Sequence, residues 1–194
     1  MPALRDPEPE VREAAAQALG SFEDREATQA LVTALREAAD PEDRGHAARA
    51  LSHASGPDVV DALIAALGDD DPLVRREAAV ALAHTGDPRA VEPLCEALSD
   101  PEVIGVAAHA LGEIGDAKAT PSLLDRFRSE PKAGKLLTAR ALGKLGDDRS
   151  SDALLEAVLR EPDHDVRREA AHALGRTSGD PAVETLLKTL QDST

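Results

Sequence analysis

Val74-Arg75-Arg76-Glu77-Ala78-Ala79-Val80-Ala81-Leu82 has two near copies, Val11-Arg12-Glu13-Ala14-Ala15-Ala16-Gln17-Ala18-Leu19-Gly20 and Val166-Arg167-Arg168-Glu169-Ala170-Ala171-His172-Ala173-Leu174-Gly175. The closing leucine recurs at Leu19, Leu51, Leu82, Leu111, Leu142 and Leu174, in steps of 29 to 32 residues. Self-similarity at such a period marks a solenoid. One unit is too small to bury its own apolar face, so it stacks on its neighbours and shares a core with them. The expected fold is all-α, a right-handed α-solenoid of six antiparallel helix pairs. A single array is expected over residues 1–194, with repeats at approximately 6–39, 40–69, 70–99, 100–129, 130–160 and 161–194.

Each repeat reads as a helix A and a helix B. The signals Asp6-Pro7, Asp40-Pro41, Asp71-Pro72, Asp100-Pro101, Glu130-Pro131 and Glu161-Pro162 open helix A. Aspartate can cap free N–H groups, and proline is tolerated in a first turn. Gly20, Gly112, Gly143 and Gly175 fit helix ends, where a left-handed backbone is needed. A turn aspartate follows (Asp24, Asp87, Asp116, Asp147 or Asp180). Helix B then carries an apolar pair: Leu31-Val32, Leu63-Ile64, Leu94-Cys95, Leu123-Leu124, Leu154-Leu155 or Leu186-Leu187.

Composition narrows the function classes. Phe22 and Phe127 are the only aromatics, so alanine and leucine must build the core. Net charge is −15, with 17 arginines against 5 lysines. An acidic, lysine-poor, aspartate-rich surface suits adaptation to high salt. It also suits an acidic groove for a basic partner, although the acidity is spread over every repeat. The charge and the lack of Trp and Tyr argue against a nucleic-acid partner. No stretch is apolar enough to span a bilayer and no leader precedes the repeats, so a cytoplasmic protein with no membrane partner is expected. The single cysteine, Cys95, excludes an internal disulfide and reads as a small core residue.

The pattern Asp-Pro-x-Val-Arg-x-x-Ala-Ala-x-Ala-Leu-Gly, followed by Gly-Asp-Pro-x-Ala-Val-x-Pro-Leu, resembles the short HEAT-like repeat of phycobilisome lyase subunits. It covers residues 6–190 and is nearest over Asp71 to Leu98. The resemblance implies the solenoid strongly and the activity weakly, because relatives include scaffolds, bilin lyases, a di-iron hydroxylase and DNA glycosylases. It also implies a ladder that joins Arg12, Arg44, Arg75, Lys135 and Arg167 to the turn aspartates. Repeat four departs from it, with Ile104-Gly105 at that place.

The hydroxylase needs His-Glu pairs after Val-Arg. Those slots read Glu13-Ala14, Gly45-His46, Arg76-Glu77, Gly105-Val106, Leu136-Leu137 and Arg168-Glu169, and arginine cannot ligate iron. His53 and His84 share one position in successive repeats. A stacking distance of ~10 Å predicts that they are too far apart for a shared metal. No catalytic residue, metal site or cofactor is therefore expected.

The expected protein is a non-enzymatic scaffold for a protein or peptide partner of basic character. Its partner-binding residues would be Asp61, Glu92, Glu96, Asp125, Asp152, Glu156 and Glu184, on the concave face formed by the B helices. The alternative is a bilin-lyase-like accessory subunit that acts with a partner chain. Oligomeric state is left open.

Overall fold

The structure, a computed structural model, describes residues 2–22 and 24–177. The described residues contain α-helices and short 3-10 turns and no strand. The A helices are α1 (Pro9–Gly20), α3 (Pro41–Ala50), α5 (Pro72–Thr85), α7 (Ile104–Ile114), α9 (Lys132–Leu145) and α11 (His164–Leu174). The B helices are α2 (Arg25–Glu37), α4 (Pro57–Ala66), α6 (Val91–Ala97), α8 (Thr120–Ser129) and α10 (Ser151–Arg160). This alternation is an α-solenoid of helix pairs. Asp180, Glu184 and the pair Leu186-Leu187 lie outside the described residues.

Contacts gather into two compact units, Met1–Ala110 and Leu111–Thr194. In the first, α3 lies against α1 on one side and α5 on the other, while α2 and α4 pack beside them. In the second, α9 packs on α11, with α8 and α10 against these A helices. Leu51, Leu82, Leu111, Leu142 and Leu174 of the motif are all buried, as are the flanking alanines Ala47, Ala78, Ala81, Ala110, Ala141 and Ala173. Burial of one such leucine contributes about 2 kcal/mol. Leu19 is only half-buried. On helix B the first member of each pair faces the core: Leu31, Leu63, Leu94, Leu123 and Leu154 are at most 1% exposed. The second member is half-buried at Ile64, Cys95, Leu124 and Leu155, so the pair straddles the edge of the apolar stripe.

Two local expectations are corrected. Asp40 and Asp71 do cap α3 and α5, accepting from the N–H groups of Glu42 and Leu73. The A helices α1, α7 and α11 open later than expected, α7 at Ile104 and not at Asp100-Pro101. Helix α1 starts at Pro9, and α11 is capped by Asp163, which accepts from the N–H groups of Asp165 and Val166. The motif glycines are not left-handed. The positive φ angles fall on Gly56, Gly86, Gly115 and Gly146. Gly143 is needed for space: a Cβ there would stand 2.7 Å from the Cα of Ala173 on the next A helix. At Gly20 it would stand 2.6 Å from the carbonyl oxygen of Ala50. Small residues at the A-helix crossings thus let backbones nearly touch, and the true stop signal comes three residues later, at Gly86 and Gly146.

Candidate functional site: the exposed B-helix face

The turns fix how each B helix is presented. Asp24, Asp87, Asp116 and Asp147 each accept a backbone N–H two residues on, at 2.8–3.0 Å, and so open the helix or 3-10 turn that follows. Asp147 also accepts from the hydroxyl of Thr120 and from Nε of Arg149, at 2.6 and 2.8 Å. The Arg149 guanidinium, and then the Thr120 hydroxyl, hold the Asp147 carboxyl down at about 2, against the opposing effect of burial.

These aspartates are not the partners of the motif arginines, contrary to the ladder the resemblance implied. Arg44 bonds Asp69, Arg75 bonds Asp100 and Lys135 bonds Glu161, at 2.7–2.8 Å. Arg12 bonds Asp43 at 2.7 Å and Asp40 at 3.4 Å. Each of these acids lies at or near the opening of the following repeat, not in a turn of the same one. The arginines also donate to carbonyls five and six residues upstream, as Arg75 does to Asp70 and Asp69 at 2.9 and 2.8 Å. A planar guanidinium can serve a carboxylate and two carbonyls together, which ties each B-to-A connection to the next repeat. Ile104 has no cation to offer, and Glu130 bonds Arg126 of α8, in the preceding repeat, at 3.2 Å.

With the turns fixed, two rows of B-helix residues face outward. Two positions before the buried leucine stand Gln29, Asp61, Glu92, Pro121 and Asp152, and two after it stand Thr33, Ala65, Glu96, Asp125 and Glu156. All six described carboxylates of the predicted set are exposed. Asp61, Glu92 and Glu96 fall in the first unit; Asp125, Asp152 and Glu156 fall in the second. They are not equivalent. Asp61 is held by Arg89 at 2.7 Å, and Arg89 also grips Asp87. Glu156 has Arg160 at 3.8 Å on its own helix. No ion pair among the described residues takes Glu92, Glu96, Asp125 or Asp152. Sequence reasoning missed Arg89, although its place just before helix B matches that of Arg149.

The histidines divide differently from expectation. His53, at the end of the 3-10 turn Leu51–His53, and His84, in the last turn of α5, have ring centroids 6.2 Å apart at an interplanar angle of 64°. The side chains lean together across the repeat spacing, which the helix-diameter estimate left out. His46 sits 3.7 Å from Glu13 through Nε2, and its buried Nδ1 has no hydrogen-bond partner. Asp163, His164 and Asp165 cluster within 4.8 Å. The ammonium of Lys132 already occupies that cluster, at 2.9 Å from Asp163 and 2.7 Å from Asp165. Cys95 is half-buried on α6, nearer the surface than a core residue. No described helix is long and apolar enough to cross a membrane.

No curated protein matches the chain. Among solved structures, the chain is similar to an engineered protein at 28% identity, with 90% of this chain and 93% of that one covered and a TM-score of 0.62. It is similar at 26% identity to a chain from the complex of CpcE and CpcF of phycocyanin lyase from Nostoc sp. PCC7120, over 90% of this chain and 74% of that one, with a TM-score of 0.65. A designed armadillo repeat protein in complex with the peptide (KR)4 shares the fold alone, at 16% identity, 90% and 96% coverage and a TM-score of 0.62. The HEAT repeat family pattern matches residues 1–52, 28–106 and 128–194, most of the chain. The chain belongs to the HEAT repeat family.

Proposed function

We propose that this protein is a non-enzymatic scaffold whose exposed B-helix face binds a basic segment of a partner protein. The carrying observation is the exposed carboxylates, Glu92 and Glu96 in the first unit and Asp125 and Asp152 in the second, that enter no ion pair among the described residues. Bound lysine or arginine side chains would meet them without first breaking an internal pair. Asp61 and Glu156 contribute less, because Arg89 and Arg160 compete for them. Glu184 belongs to the same proposal by sequence position alone, as does the reading of residues 1–194 as one array. The likeness to repeat proteins supports a binding role and leaves the partner open.

The test is binding of a fluorescent Lys/Arg-rich peptide, with capture from the native host lysate beside it, at low and high salt. The triple reversal Glu92→Lys, Glu96→Lys and Glu156→Lys is expected to weaken peptide binding at least about tenfold and to lose the captured partner. Equal binding by both proteins would assign the acidity to solvation and reject the groove.

A second reading rests on the 26% likeness to a phycocyanin lyase chain. In it, the protein is an accessory subunit of lyase type that acts only with a partner chain. It predicts that the protein, mixed with that partner, holds a linear tetrapyrrole. An unchanged visible spectrum would reject it.

A further inference from the structure

We propose that His53 and His84 form a two-imidazole site for a late first-row divalent metal ion, of the Ni2+, Cu2+ or Zn2+ class. The rings come from equivalent positions of adjacent repeats, and both side chains are exposed. Their centroids lie 6.2 Å apart. Two imidazoles that share one metal at bond lengths near 2 Å place their centroids roughly 5–6 Å apart, so a small rotation of either ring brings the nitrogens to one point.

The hydrogen bonding of His84 points the same way. Its Nδ1 lies 2.9 Å from the carbonyl oxygen of Val80. A carbonyl only accepts, so Nδ1 carries the proton and, in the neutral ring, Nε2 keeps its lone pair. A ring N–H held by a backbone carbonyl fixes the tautomer and orientation that metal-binding histidines use. Imidazole suits nickel, copper and zinc, whereas the hard cations calcium and magnesium prefer oxygen ligands.

Both rings are exposed, so water can complete the coordination sphere of a metal held between them. His53 also lines a cleft of about 830 Å3 together with Phe22, Asp24, Ser55 and Asp58. The metal would clip the end of α5 to the turn after α3 and so fasten two neighbouring repeats at their rim. The motif position concerned lies two residues after the closing leucine. In the second unit it holds Glu113 and Lys144, whose side chains form an ion pair. Side chains at this position therefore meet across repeats in both units, by charge in one and by imidazole in the other.

The experiment is a calorimetric titration of the full chain with NiCl2 in a non-chelating buffer, repeated with His53→Gln, His84→Gln and His172→Gln. One site per chain is expected. Its affinity should fall about tenfold or more in each of the first two variants and hold in the third. Zinc titration followed by NMR of the wild-type chain gives a reading that needs no variant: the ring resonances of His53 and His84 should move together. Equal nickel affinity in all four proteins, no nickel binding, or zinc shifts confined to other histidines would each overturn the proposal.

Discussion

Arg44 and Asp69 stand 25 residues apart and close a two-pronged hydrogen bond, Nε to Oδ2 and Nη2 to Oδ1, each 2.8 Å long. The remaining nitrogen of Arg44 donates to the carbonyls of Ala38 and Ala39. Both side chains are about 15% exposed, so water competes little for them. Arg44 holds the Asp69 carboxyl below the ordinary carboxylate range. Removing either partner strands the other. Arg44→Met should lower stability by about 2 kcal/mol. Asp69→Ala should cost at least as much, because Asp69 also accepts from the N–H of Asp71. Denaturant melts of the singles and the double test this: additive losses, with no coupling between the sites, would refute the account.

The crossing of α9 and α11 sets the sign of a second prediction. Alanine in place of a glycine inside a helix ordinarily stabilises by about 1 kcal/mol. At Gly143 the new Cβ would stand 2.7 Å and 2.9 Å from the Cα and Cβ of Ala173. Backbone cannot swing aside as a long side chain can. Gly143→Ala should therefore destabilise by about 2 kcal/mol. Gly68→Ala, where the nearest atom is 3.5 Å away, should change stability little. A Gly143→Ala protein as stable as the wild type would show that the two helices do not cross as closely as described.

Asp147 gives a pH dependence with a definite direction. Its folded value is about 2, against an ordinary 3.8. Its contribution is complete above the ordinary value. As the pH falls from about 4 to about 2, the unfolded chain takes up the proton first, and the contribution is lost. Asp147→Asn should flatten that part of the stability profile and leave the slope above pH 5 unchanged. Identical acid limbs in the two proteins would contradict the assignment.

Some of this was legible in the residues. The closing leucines, the alanines around them and the turn aspartates repeat because each performs one local job, filling the core or capping a helix. Local jobs leave a periodic trace. The exposed positions of Glu92, Glu96, Asp125, Asp152 and Glu156 followed from the same period, since a helix places residues two before and two after a buried leucine toward solvent.

The partners of charged and small residues were not legible. Read with the family resemblance, the sequence favoured arginines paired with turn aspartates, whereas the structure hands Arg44 and Arg75 to acids at or near the opening of the following repeat. It suggested a left-handed role for Gly143, and the structure gives a steric one. It set His53 and His84 a helix diameter apart, and the structure brings their rings to 6.2 Å. The sequence by itself determined the helix pairs, their order and their buried stripe, because periodic burial is a property of one chain segment at a time. Only the tertiary structure decided which guanidinium meets which carboxylate, where two backbones touch and which imidazoles face one another. Those depend on the direction in which long side chains reach from one repeat to the next, and no period encodes that direction.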